Sequence, residues 1–145
     1  MFKINISHKG KTFKIETEDE KLVGQSIGDT IKGELINKDL EGYEIKITGT
    51  SDKAGFFGSS EIDGPNLHKV LLNYGKGMHK KPKGEKKTNK KPKGLKLRKT
   101  VRGKEISLAT VQINTQVTKE GTKKFDSLFE KPEASKENQE TQTAK

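Results

Sequence analysis

The chain has 145 residues, 28% hydrophobic and 34% charged, against roughly 45–50% apolar and 25% charged in an ordinary globular domain, so only part of it can be core. The absence of Cys excludes disulfides, thiolate metal sites and cysteine nucleophiles and fits a reducing cytoplasm, and without a long apolar run neither a membrane-spanning helix nor a secretory leader is expected. The net charge of +10 points toward a polyanion.

In chain order, Phe2, Ile4 and Ile6 alternate with Lys3 and Asn5, and Phe13 and Ile15 alternate with Thr12, Lys14 and Glu16. With His8-Lys9-Gly10-Lys11 between them, the two runs predict a β-hairpin with one buried face. Ile27 to Ile36 is too rich in Gly for a helix and too broken for a long strand, and predicts short strands and turns. Tyr43, Ile45 and Ile47 alternate with Glu44, Lys46 and Thr48 between Gly42 and Gly49, the clearest strand signal in the chain. Gly49 to Asn66 predicts a structured loop carrying the exposed-looking pair Phe56-Phe57. Leu67 to Tyr74 fits either a strand or a short helix.

Val111, Ile113, Thr115 and Val117 predict another amphipathic strand, ending near Gly121. Phe125, Leu128 and Phe129 fall at helical spacing and predict one short packing turn. From Lys131 onward there is no large apolar residue, which predicts a disordered tail over 131–145.

Charge is unevenly placed. Residues 1–68 hold 9 basic and 12 acidic residues, residues 69–104 hold 15 and 1, and residues 105–145 hold 6 and 7. All of the excess positive charge thus sits in the middle of the chain. Within residues 76–104 the only acid is Glu85, and Met78, Leu95, Leu97 and Val101 are the only sizeable apolar residues. Such a stretch buries too little surface to offset an ordering entropy of about 1–2 kcal/mol per residue, and is expected to be mobile in isolation. Inside it, Lys80-Lys81-Pro82-Lys83-Gly84 is duplicated as Lys90-Lys91-Pro92-Lys93-Gly94. Each Pro favours extended backbone before it and each Gly allows a bend, which predicts a basic loop that moulds to a polyanion.

Lys outnumbers Arg 13 to 2 over residues 69–104, which favours point-charge neutralisation of phosphates over bidentate reading of bases. No aromatic residue lies between Tyr74 and Phe125, so base stacking by this loop is not expected. A membrane surface is disfavoured because no amphipathic helix or lipidation signal accompanies the charge.

Enzyme motifs fail on spacing. His8, His68 and His79 are too far apart for a metal-binding pair on one element. Gly10-Lys11-Thr12 resembles the end of a phosphate-binding loop, but Asn5 stands where its first Gly should be. Asp19, Glu20, Asp52, Glu61 and Asp63 fall in polar, turn-like sequence that suits solvated or capping carboxylates better than acid–base chemistry. No catalytic or metal site, cofactor or small-molecule substrate is expected.

The run Gly42-Tyr43-Glu44-Ile45-Lys46-Ile47-Thr48-Gly49-Thr50-Ser51-Asp52-Lys53-Ala54-Gly55-Phe56 resembles a known family. So do Ile27-Gly28-Asp29 with Gly33-Glu34, Lys69-Val70-Leu71-Leu72, Arg98-Lys99-Thr100-Val101-Arg102-Gly103, and Gln112-Ile113-Asn114 followed by Val117 to Gly121. Together they are similar to the e-type small-subunit ribosomal proteins numbered six, in their short archaeal form, over roughly residues 1–130. The resemblance implies a mostly-β, barrel-like domain embedded on ribosomal RNA beside neighbouring ribosomal proteins in the cytoplasm, with no enzymatic activity. It also implies phosphate contacts for Arg98, Lys99 and Arg102, and a structural signature turn at Gly49, Asp52, Lys53, Gly55 and Phe56, weighed evenly between a self-capped turn and direct RNA contact. Phe57 stands where the family usually has Pro, and the duplicated Lys-Lys-Pro-Lys-Gly lengthens the basic loop.

The expected organisation is a β domain over 1–75, a basic RNA-binding loop over 76–104, a closing strand and short helix over 105–130, and the tail. The candidate RNA-binding residues are Lys80, Lys81, Lys83, Lys86, Lys87, Lys90, Lys91, Lys93, Lys96, Arg98, Lys99, Arg102 and Lys104. The expected function is that of a structural constituent of the small ribosomal subunit; a nucleic-acid-binding module outside the ribosome is the alternative.

Overall fold

Phe2, Ile4 and Ile6 all point to one side of the first strand and are 2% exposed or less, which is the amphipathic hairpin the alternation predicts. The computed structural model describes residues 1–81 and 94–121 together with Lys123 and Phe125. Strand β1 (Phe2–His8) pairs antiparallel with β2 (Lys11–Thr17), and His8 stands opposite Lys11, leaving a two-residue turn. Lys9 and Gly10 both take positive φ, 44° and 83°, as a tight turn matching the twist of a hairpin requires.

Next come β3 (Thr30–Lys32), two single 3-10 turns at Gly33–Leu35 and Lys38–Leu40, and β4 (Glu44–Asp52). The strand read from Tyr43 to Thr48 therefore runs on to Asp52, and Gly49 lies within it rather than in a turn. Gly49 marks a register shift against the last strand: Ile47 faces Thr115, Gly49 faces Asn114, and Thr48 is the extra residue. Strands β5 (Leu67–Asn73), β6 (Lys96–Arg102) and β7 (Thr110–Lys119) complete the order.

Five strands form one sheet in the order β2-β1-β7-β4-β3, and β5 and β6 form a separate two-stranded ribbon. Strand β7 runs parallel to β1 and antiparallel to β4, so it joins the two halves of the sheet. Among the described residues neither sheet closes on itself. The expected barrel is replaced by an open sheet and a ribbon, because β2 and β3 at the two edges pair on one side only.

The core is aliphatic, as the composition requires. Ile4, Ile6, Ile45, Ile47 and Ile113 are fully buried, joined by Leu22, Leu40, Tyr43 and Ile106. Phe125 also belongs to this core, with its ring against Phe13 (5.2 Å between centroids) and His8 (5.0 Å). The rest of the expected packing turn at 126–129 and the expected disordered tail lie outside the described residues.

A candidate nucleic-acid interface

The basic segment is not one loop. Its C-terminal part, expected to be unstructured on charge grounds, is the regular strand β6, held in full register by β5 from Leu67 opposite Arg102 to Asn73 opposite Lys96. The same pairing settles Leu67 to Tyr74 as a strand. Val101 is fully buried and Leu97 half-buried, enough apolar anchorage for a strand on which Lys96, Arg98 and Lys99 face water.

Directly opposed residues of an antiparallel pair share a face, and so do residues two apart along a strand. Lys69 opposite Thr100, Leu71 opposite Arg98 and Asn73 opposite Lys96 therefore lie on one face of the ribbon. Lys69, Lys96 and Arg98 are exposed there, and Lys99 is exposed on the other face. Among the described residues no carboxylate comes within ion-pair distance of these four cations. Charges left unneutralised on a rigid ribbon suit an anionic partner.

The remaining candidates separate into distinct groups. Lys80 is exposed and Lys81 half-buried just after a tight turn in which Gly75 and Met78 exchange backbone hydrogen bonds of 2.8 and 3.1 Å. Lys83, Lys86, Lys87, Lys90, Lys91 and Lys93 lie outside the described residues. Lys104 makes an ion pair of 2.6 Å with Asp63, whose hydrogen bond and charge raise the ammonium's pKa while lowering that of the carboxyl.

Arg102, expected to meet phosphate, is committed inside the protein. Its Nε and Nη2 donate to Asp52 Oδ2 at 3.1 and 3.0 Å, and its Nη1 donates to the Pro65 carbonyl at 2.8 Å. The Asp52 side chain is only 2% exposed and that of Arg102 14%. A paired carboxylate in such a place satisfies its lone pairs or costs several kcal/mol; Asp52 does so with Arg102 and, through Oδ1, with the Phe56 backbone N–H at 2.8 Å. The Gly55 N–H donates to the Asp52 carbonyl at 3.1 Å, and the Asp52 N–H to the Phe56 carbonyl at 3.0 Å. The signature turn is thus self-capped around Asp52, with Lys53 and Gly55 exposed at its tip and Phe56 half-buried.

Three residues of this region were absent from the sequence-derived set. Lys69 joins it only through the β5–β6 register, and Phe57 and Lys76 only because the turn at 75–78 folds back, placing Lys76 Nζ 5.7 Å from the centre of the Phe57 ring. No spacing in the chain signals either approach.

The family described as Ribosomal protein S6e matches residues 2–130. Curated relatives named small ribosomal subunit protein eS6 include that of Methanococcus maripaludis, 42% identical over 123 residues, spanning 83% of this chain and 90% of the relative. That of Methanoculleus marisnigri is 38% identical over 141 residues, spanning 94% of this chain and 98% of the relative. The relative from Methanobrevibacter smithii is 42% identical over 123 residues, spanning 84% and 87%. With the mostly-β fold in place and the family's blocks falling on β4, β6 and β7, the chain belongs to the ribosomal protein S6e family: it is a structural constituent of the small ribosomal subunit in the cytoplasm, and not an enzyme.

Proposed function

We propose that the protein holds ribosomal RNA of the small subunit by neutralising backbone phosphates with the β5–β6 ribbon and the Lys-rich segment that joins its two strands. The observation that carries this reading is the exposed face on which Lys69, Lys96 and Arg98 stand without carboxylate partners among the described residues. Three further features support it: 15 of the 30 basic residues fall in residues 69–104, Lys predominates among them, and membership of a ribosomal protein family implies association with small-subunit rRNA and other ribosomal proteins. Point charges on a ribbon and a flanking segment recognise the spacing of phosphates rather than base identity.

Salt dependence tests the mechanism. Each phosphate contact contributes about −0.7 to −0.9 to the slope of log K against log salt. Replacing Lys69, Lys96 and Arg98 together by Gln is expected to flatten that slope by roughly 2–3 for a transcript of small-subunit rRNA, leaving thermal unfolding unchanged. Replacing Lys80, Lys81, Lys83, Lys90, Lys91 and Lys93 by Gln should flatten it further and weaken binding to unrelated RNAs alike. An unaltered slope, or a loss confined to one RNA sequence, overturns backbone neutralisation.

A further inference from the structure

Where the signature turn, the turn at 75–78 and strand β6 meet, the surface forms an open hollow of about 420 Å³. Its walls include two aromatic side chains, Phe56 and Phe57, and two cationic residues, Arg98 and Lys99; among the described residues no carboxylate lines it. Both rings are half-buried, so part of each is free to be covered.

Both aromatic residues are held firmly. Phe56 is tied through its N–H and its carbonyl to Asp52, at 2.8 and 3.0 Å. The Phe57 carbonyl accepts from Arg102 N–H at 2.9 Å, which fastens it beside β6. The edge of the Phe57 ring lies so close to Gly77 that a Cβ there would come within 2.0 Å of Phe57 Cε1, and φ at Gly77 is +77°, so only glycine lets the turn close against the ring. The packed Phe57 ring lowers the cost of binding, since little of its freedom is left to lose.

An apolar side chain entering this pocket would cover the rings but strip water from the cations. A flat heteroaromatic ring attached to a phosphate satisfies both: the base stacks on an aromatic face and the anion meets one of the two cations, Arg98 or Lys99, which leave β6 on opposite faces. We infer that this pocket takes one unpaired nucleotide of the bound RNA, its base against Phe56 and Phe57 and its phosphate toward the edge of β6 that carries Arg98 and Lys99, one on each face. This deepens the RNA-binding reading above and rests on it. It also gives an otherwise sequence-tolerant surface a point of registration, because only an extruded base can enter.

Two RNA hairpins of equal length, one fully paired and one with a single bulged adenosine, test the inference on the purified full chain. The bulged hairpin is expected to bind about tenfold more tightly than the paired one. Phe56→Leu keeps apolar bulk but removes the ring, and should erase that preference while leaving affinity for the paired hairpin unchanged; Phe57→Leu should act in the same direction. Adenosine 5′-monophosphate should displace the bulged hairpin only at millimolar concentration. Equal affinity for the two hairpins in the natural chain, or a Phe56→Leu loss shared by both, overturns the pocket while phosphate neutralisation stands. Displacement by micromolar mononucleotide overturns the RNA assignment in favour of a free nucleotide. Failure to bind either hairpin at low salt overturns the pocket together with the reading beneath it.

Discussion

Asp52 ties three parts of the molecule together with one carboxylate. It sits at the end of β4, accepts from Arg102 at the end of β6, and caps the turn through the Phe56 N–H. Removing one partner from so buried a pair leaves the other charge uncompensated, which typically costs about 3–5 kcal/mol. Asp52→Ala is expected to lower the unfolding free energy from urea titration by an amount in that range, and Arg102→Gln to show up in the same measurement rather than in the salt slope of RNA binding. Tyr43 carries a different liability. Its ring is 1% exposed, its hydroxyl donates to the Lys123 carbonyl, and burial together with the nearby Glu120 carboxylate raises its pKa above the ordinary 10.0. Below pH 10 the phenol is neutral in both folded and unfolded chains, so its contribution is intact. As pH rises beyond that, the unfolded phenol ionises first and stability falls until the folded value is passed. Urea unfolding at about pH 9 and about pH 11 should therefore show a steeper alkaline loss for the natural chain than for Tyr43→Phe, which should cost about 1 kcal/mol at neutral pH through the missing hydrogen bond.

At the scale of elements, the ribbon was the part least legible in the sequence. Leu67 to Tyr74 carried no decisive period, and Lys96 to Arg102 displayed cations with Leu97 and Val101 four apart instead of two, so neither segment announced a strand. Each became one by pairing with the other across the basic segment, and non-local hydrogen bonding of that kind leaves no local trace. Hairpin β1–β2, strand β4 and strand β7 were readable because one side of each faces the core and the alternation records it. Leu22, Leu40 and Ile106 were not, since Leu40 stands alone in a polar run and nothing in the sequence separates buried Leu22 and Ile106 from their exposed neighbours Val23 and Leu108. The pairing of Arg102 with Asp52 was hidden for a similar reason: nothing in the run of cations distinguishes the one that finds a buried carboxylate. The ribbon ends on Gly103, where a Cβ would fall 1.8 Å from the Gly64 carbonyl oxygen. Gly103→Ala must push that backbone aside, and a thermal melt is expected to register a destabilisation of about 1–3 kcal/mol, comparable to overpacking a core.

For the whole molecule, the charge pattern and the topology divide the work. Residues 1–68, which supply β1 to β4, are slightly acidic, while residues 69–104 supply most of the ribbon and all of the surplus positive charge. The separation orients the protein in the field of a polyanion, ribbon first. The five-stranded sheet was legible as strands but not as an order, because β1 finds its parallel partner β7 more than 100 residues away, with Asn5 Nδ2 donating to Asn114 Oδ1 (2.9 Å, |i−j|=109) and Gln112 Nε2 donating to the same oxygen at 2.8 Å. That placement governs how the protein is born. Translation delivers the N-terminal hairpin and the β3–β4 pair well before β7, yet β7 is the plank that lies between them. Until it emerges from the exit tunnel the nascent chain holds two unconnected half-sheets with the cationic stretch already outside, so the charges can seize an anionic neighbour before the fold that presents them is complete.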